Sequence, residues 1–142
     1  MPDTGFAAFS TTVDRTNRLL RGIEEAYGWP KELRHQSYDG LRAVLHALRD
    51  RLPVEEAAQL AAPLPMLVRG LYYEGWDPSK VPVQMHREDF LERVQREFPY
   101  EVPDGVEGLV ETVLLALSRH IPEGEWADIR ANLPRDLTSV VP

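Results

Sequence analysis

The chain has 142 residues, a length typical of one domain or of two small units that share a core. Hydrophobic residues make up 43% and charged residues 27%, a composition typical of globular proteins that argues against intrinsic disorder. No apolar run reaches the roughly 18 residues that a membrane span requires. The absence of cysteine excludes disulfides and thiolate chemistry. We therefore expect a cytoplasmic protein with no membrane partner.

The charge is acidic and unevenly distributed. The formal net charge is −7, of which −1 falls in residues 1–74 and −6 in residues 75–142. Broad nucleic-acid binding depends on clustered positive charge, so an acidic half argues against it. We therefore expect no nucleic-acid partner.

Helical periodicity begins at the start of the chain. Gly28 and Pro30 are expected to end the first helix, and Ser10, Thr11 and Thr12 are its N-cap candidates. Apolar residues at alternating steps of three and four predict its buried face: Phe6, Phe9, Val13, Thr16, Leu20, Ile23 and Tyr27.

Three more helices are predicted before residue 75. The second covers about residues 38–52, a short third follows Pro53 and covers about residues 54–62, and a fourth opens at Pro65. Glu56 lies in the first turn of the third helix, where negative charge suits the helix dipole. The predicted buried face of the second helix consists of Leu41, Val44, Leu45, Leu48 and Leu52.

The helical pattern resumes after a loop at residues 75–82. A seventh helix is expected to start at Pro122 and an eighth at Pro134, the latter carrying Leu137 and Val140. The fifth and sixth helices are indicated by two apolar series: Phe90, Leu91, Val94 and Phe98, then Val106, Leu109, Val110, Val113, Leu114 and Leu117. No stretch shows sustained two-residue alternation, so we predict an all-α fold without a sheet.

The two halves of the sequence repeat each other. A shift of 69 residues gives ten identities within the 22 positions 44–65, and the matching residues are Val113, Leu114, Ala116, Leu117, Pro122, Glu125, Ala127, Ala131, Leu133 and Pro134. Neither half alone would bury enough apolar surface. We therefore predict one domain over residues 1–142 with two tandem pseudo-symmetric four-helix units, at about 9–74 and 86–141, joined by a connector at about 75–85.

Two segments carry a family resemblance. Residues 41–53 read LRAVLHALRDRLP and residues 64–78 read LPMLVRGLYYEGWDP. Both resemble the signature of a widespread bacterial family catalogued only as a domain of unknown function, number 2267 in that series. The resemblance extends from about Phe9 to Val141 and implies a helical, cytoplasmic bacterial protein. It brings no reaction, cofactor or catalytic residue.

A few residues are candidates for a site. Tyr73 and Trp76, beside a glycine-containing loop, could anchor a partner or ligand. They could equally pin the connector against the second unit, with the indole N–H donated to a backbone carbonyl. His46 lies beside the apolar face of the second helix and is either a hydrogen-bonded core residue or part of a site. A single Glu32-x-x-His35 pair lacks the second pair that a di-metal site needs, so we expect no metal and no cofactor.

Glu56 and Glu125 occupy equivalent positions in the two units. Paired carboxylates can perform acid–base chemistry when their environments separate their pKa values. Each also lies three residues after a proline, Pro53 or Pro122, where a glutamate stabilises a helix start. The structural role at the helix start is the expected one.

The sequence contains no glycine-rich phosphate loop, nucleotide fingerprint, nucleophile elbow or His-Glu-x-x-His run. This favours a non-enzymatic protein without excluding an enzyme that uses carboxylates and histidine. The leading hypothesis is a helical protein-interaction module with a protein partner or a second copy of itself. The alternative is a small-molecule or lipid binder with a pocket between the two units.

Overall fold

The computed structural model describes residues 6–133 and 135–141, and all regular structure in those residues is helical, without a strand. This confirms the predicted all-α class. The α-helices are α1 (Ala7–Tyr27), α2 (Arg34–Arg51), α3 (Val54–Ala61), α4 (Met66–Tyr73), α5 (Arg87–Glu97), α6 (Gly105–Ser118) and α7 (Glu123–Asn132). Three short 3₁₀ helices cover Lys31–Leu33, Pro78–Lys80 and Arg135–Val140.

The last of these replaces the predicted eighth α-helix, so the described residues contain seven α-helices rather than eight. At six residues this segment is longer than most 3₁₀ runs, which rarely exceed about four residues. Leu137 of this segment is buried, as its apolar character predicts. Pro134, the predicted start of the eighth helix, lies outside the described residues.

Helix α2 runs through the middle of the core and contacts α1, α3, α4, α5 and α6. All the residues predicted for its buried face are buried, which confirms that prediction: Leu41, Val44, Leu45, Leu48 and Leu52. Because neighbours surround α2 on several sides, Ser37, His46 and Arg49 are buried as well. Their polar groups therefore require partners inside the protein.

Helix α1 differs from its prediction at its N-terminal end. It starts at Ala7, ahead of the predicted N-cap candidates, and it ends at Gly28, whose φ of 67° is the left-handed conformation that glycine adopts readily. Ile23 of the predicted stripe is buried, but Phe6 is 58% and Phe9 is 52% exposed. The prediction of a buried face is therefore wrong for the first turns, because the described helices do not cover these rings.

A buried carboxylate joins α1 to the start of α2. Glu24 accepts hydrogen bonds from Arg34 Nε at 3.0 Å, from Arg34 Nη2 at 2.9 Å and from Ser37 Oγ at 2.6 Å. Burial by itself raises the pKa of Glu24, but the hydrogen bonds from Arg34 and Ser37 outweigh it and hold that pKa below its usual range. The charged form of Glu24 therefore stabilises the contact between these two helices.

Candidate functional site

An open groove runs between α1 and α4. Its volume is about 730 Å³, and its walls include Phe9 and Val13 of α1, Tyr38 of α2, and Met66 and Leu67 of α4. We call it the α1–α4 groove. Among the described residues that line it, Glu74 is the only one charged at neutral pH.

The rim of the groove is strongly apolar. The side chains of Phe9, Met66 and Leu67 are 50–55% exposed, and Tyr38 is 41% exposed. The ring of Phe6 extends the same surface, since its centroid lies 5.1 Å from that of Phe9. Large apolar side chains exposed next to one another, rather than singly, are typical of interaction surfaces.

Helix α4 is held in place at its N-terminal end by α1. The backbone N–H of Leu67 donates to Thr12 Oγ1 at 2.9 Å, and Thr12 is buried. Thr16 Oγ1 donates to the Thr12 carbonyl at 2.8 Å. A threonine of α1 thus satisfies one of the free N–H groups at the start of α4. The sequence suggested Thr12 as an N-cap of α1, and the structure assigns it to α4 instead.

The C-terminal end of α4 is held by α2. Arg49, buried, donates through Nη1 to the carbonyls of Tyr72, at 2.8 Å, and Glu74. Its Nε donates to Asp50 Oδ1 at 3.1 Å, and Asp50 also pairs with Arg93 of α5 at 2.7 Å. Arg49 therefore satisfies carbonyl groups that the end of a helix leaves free.

Arg49 was overlooked as a structural anchor in the sequence. The signal that could have identified it is its position one helical turn after Leu45, beside the apolar face of α2. A charged side chain on an apolar helix face is buried only when it is paired or hydrogen-bonded.

The structure brings the three proposed anchor residues close to α4. His46 is buried, and its Nε2 donates to the Leu71 carbonyl at 2.8 Å, so Nε2 carries the proton. Burial lowers the pKa of His46, and the positive charges of Arg49 and Arg42 act in the same direction. A histidine in this position is neutral near pH 7.

Tyr73 and Trp76 pack partly buried against the core, with ring centroids 5.3 Å apart. The Trp76 indole nitrogen is buried, and no hydrogen-bond partner for it occurs among the described residues. The backbone carbonyl expected to receive that N–H is therefore not found there. The residues described as lining the α1–α4 groove include neither Tyr73 nor Trp76 nor His46.

A second pocket lies between α3 and α7, and we call it the α3–α7 pocket. Its volume is about 490 Å³. Leu60 and Ile129 contribute apolar surface, whereas Glu56, Glu125 and Asp128 contribute carboxylates. The two glutamates that the sequence singled out therefore line the same pocket. Pro53 and Pro122 directly precede α3 and α7, as the sequence pattern predicts.

The remaining candidate groups lie apart from these two sites. His86 stands at the N-terminal end of α5, where its Nδ1 is 3.8 Å from Asp136 Oδ2. Within residues 6–133 and 135–141, no three His, Asp or Glu side chains are grouped closely enough to hold a metal ion. In the same part of the chain, no helix combines the length and apolar character of a membrane span.

The helices and the groove define a small all-helical protein with an exposed apolar surface. The chain belongs to the family described as Uncharacterized conserved protein (DUF2267), whose sequence model matches residues 16–140. The family resemblance seen in residues 41–53 and 64–78 is thereby confirmed. No curated protein matches the chain.

Proposed function

We propose that this protein is a helical interaction module whose α1–α4 groove receives one amphipathic helix of a partner protein. The observation that carries the proposal is the exposure of Phe9, Met66 and Leu67 around a groove that the fold holds open. An apolar surface of this kind gains free energy when it is removed from water, at roughly 25 cal/mol per Å².

The dimensions and chemistry of the groove suit a helix. From Phe9 to Leu20 the groove follows twelve residues of α1, whose ends lie about 16 Å apart along the helix axis, or about three helical turns. A partner helix laid along it would insert apolar side chains at positions i, i+3 or i+4, and i+7. The hydrogen bond between Leu67 and Thr12 and the contacts of Arg49 fix α4 at both ends, so the groove is preorganised and binding requires little ordering.

Replacing Leu67 with glutamate is expected to abolish helix binding while the fold remains intact. Leu67 is 50% exposed and lies in the first turn of α4, where negative charge suits the helix dipole. Peptides selected from a library of amphipathic helices against the wild-type protein should bind L67E at least tenfold more weakly, as measured by fluorescence anisotropy.

Leu115→Glu is the matched control, because Leu115 of α6 is 43% exposed and is not among the residues that line the groove. This variant should bind the same peptides as the wild type does. Equal binding by L67E would contradict the proposal. Sedimentation equilibrium distinguishes a second copy as the occupant, since wild-type dimers that become monomers in L67E would place the same groove in a homodimer.

We also propose that the chain contains an internal repeat, in which α1, α2 and α3 correspond to α5, α6 and α7. The helix contacts support it: α1 contacts α6 as α5 contacts α2, whereas α2 contacts α6 and α3 contacts α7. Exchanging the two units converts the contacts α1–α6 and α5–α2 into each other and leaves the contacts α2–α6 and α3–α7 unchanged. That is the behaviour expected of two units related by a pseudo-twofold axis.

The burial of equivalent residues supports the repeat as well. Leu19 and Phe90, which a shift of 71 residues relates, are both fully buried. Under the shift of 69, the buried residues Val44, Leu45, Leu52, Leu60, Leu64 and Val68 correspond to the buried residues Val113, Leu114, Ile121, Ile129, Leu133 and Leu137.

A small-molecule binder is the second candidate function, and the α3–α7 pocket favours it. Equivalent residues of the two units line this pocket, namely Glu56 with Glu125 and Leu60 with Ile129. This lining supports the hypothesis of a ligand pocket between the two proposed units. Apolar walls beside several carboxylates suit an organic cation with an alkyl body.

Octylammonium is a suitable probe for this pocket. We expect isothermal titration calorimetry to show binding to the wild type and at least a tenfold weaker affinity for the double variant E56Q/E125Q. The control is Glu123→Gln, since Glu123 is an exposed residue of α7 that is not described as lining the pocket. Binding that is equally tight in the double variant would count against this second function.

A further inference from the structure

A group of arginines lies on the face of α1 that points away from the α1–α4 groove. Arg15, Arg18 and Arg21 recur every three residues along α1, and Arg119 follows the end of α6. We call these four residues the arginine cluster. Thr16 lines the groove. Because two successive steps along an α-helix rotate the side-chain direction by about 200°, Arg18 projects from the opposite side of α1.

Three members of the cluster, Arg18, Arg21 and Arg119, line a small pocket between α1 and α6. The pocket has a volume of about 240 Å³, and its lining includes Arg18, Arg21, Arg119, His120 and Glu25. A Cβ atom added to Gly22 would lie 3.7 Å from the Cβ of Ala116, so the two helices approach closely at this point. Side chains from two elements therefore converge on one space.

The arginines of the cluster lack the partners that most other arginines have within the described residues. Within the described residues, no side chain of the arginine cluster forms an ion pair or a side-chain hydrogen bond, and Arg96 is the only other arginine of which this is true. The protein as a whole carries a net charge of −7. Guanidinium groups concentrated on one face of the protein repel one another. This repulsion raises the electrostatic free energy unless a bound anion offsets it.

The electrostatics of His120 show that the charges converge. Burial lowers the pKa of His120, and the charges of Arg15, Arg18 and Arg119 lower it further. Three guanidinium groups thus act on one imidazole at the wall of the pocket. Glu25 is the one carboxylate among the described residues of the lining, and Glu24 also interacts electrostatically with Arg21.

We propose that the pocket between α1 and α6 binds a phosphate group, with Arg18, Arg21 and Arg119 as its ligands. Guanidinium groups match the oxygens of a phosphate with two parallel hydrogen bonds, and several of them around one site favour a dianion. The pocket is large enough for a headgroup and lies on a different face of α1 from the groove. This inference is independent of the proposed helix-binding function.

Calorimetric titration with inorganic phosphate and with glycerol 3-phosphate, at constant ionic strength in chloride, tests the site. We expect saturable binding by the wild type and at least a tenfold loss of affinity in the double variant R18Q/R119Q. Both arginines are exposed and unpaired in the described residues, so the melting temperature of the double variant should equal or exceed that of the wild type.

Arg96→Gln is the matched control, because it removes an exposed arginine of α5 that has no partner among the described residues and is not described as lining this pocket, so binding should be unchanged. Vesicles of phosphatidylcholine with and without phosphatidic acid identify the source of the phosphate group. Binding confined to the phosphatidic acid vesicles, and lost in R18Q/R119Q, would assign the site to a lipid headgroup. Absence of binding in every arm, or binding that R18Q/R119Q retains, would overturn the inference.

Discussion

Replacing Arg49 with alanine is expected to lower the free energy of unfolding by about 3 kcal/mol and the melting temperature by about 10 °C. Arg49 is buried and donates to the carbonyls of Tyr72 and Glu74 as well as to Asp50. Its removal leaves the buried carbonyl of Tyr72 and the partly buried carbonyl of Glu74 without this donor, and a buried unsatisfied group costs about 1–3 kcal/mol. Chemical denaturation followed by circular dichroism measures the loss.

One further variant separates the hydrogen bonds of Arg49 from its charge, and another serves as a control at a different arginine. Arg49→Lys keeps the positive charge but lacks the planar fork, so we expect a loss smaller than that of R49A. Arg96→Ala, at an arginine without a side-chain partner among the described residues, should change stability by less than about 0.5 kcal/mol. An R49A protein as stable as the wild type would show that the hydrogen bonds of Arg49 are not needed to hold α4.

Leu45→Ala and Leu114→Ala are each expected to destabilise the protein by about 2–5 kcal/mol. Leu45 of α2 is completely buried, Leu114 of α6 is 2% exposed, and a shift of 69 residues relates the two. Each truncation opens a cavity in the contact between the central helices, where the close neighbours relax only partly. Thermal and urea denaturation of both variants measure the effect.

The neighbouring residue Leu115 is the control for this experiment. It has the same side chain as Leu114 but is 43% exposed, so Leu115→Ala should change stability by less than about 1 kcal/mol. If L115A were as destabilised as L114A, the face of α6 that packs in the core would be wrongly assigned. If L114A were tolerated and L45A were not, the equivalence of the two units would be in doubt.

Much of the fold could be predicted because helical periodicity repeats in the sequence. The apolar spacing of residues 41–52 predicts the buried face of α2, and Pro53 and Pro122 mark where α3 and α7 begin. The last element was predicted as an α-helix because Leu137 and Val140 are spaced three residues apart, and this spacing suits both an α-helix and a 3₁₀ helix. The choice of 3₁₀ geometry in so short a segment depends on its surroundings.

The candidate sites were only partly predictable. Glu56 and Glu125 were found from the repeat, and they line one pocket. The α1–α4 groove was missed, because Phe9 and Val13 belong to the same apolar stripe as Ile23, and the pattern predicted that the whole stripe is buried. A stripe indicates which face is apolar but does not tell how far a neighbouring helix covers it.

The amino-acid sequence by itself determined the helical class, the face that each central helix turns to the core, and the family. These properties are local, since they depend on the spacing of apolar residues and on prolines at helix starts. Only the tertiary structure decided that Thr12 binds α4, that Arg49 reaches the carbonyls of Tyr72 and Glu74, and that the first turns of α1 stay exposed. Those outcomes depend on contacts between residues more than twenty positions apart, which no local pattern of side chains encodes.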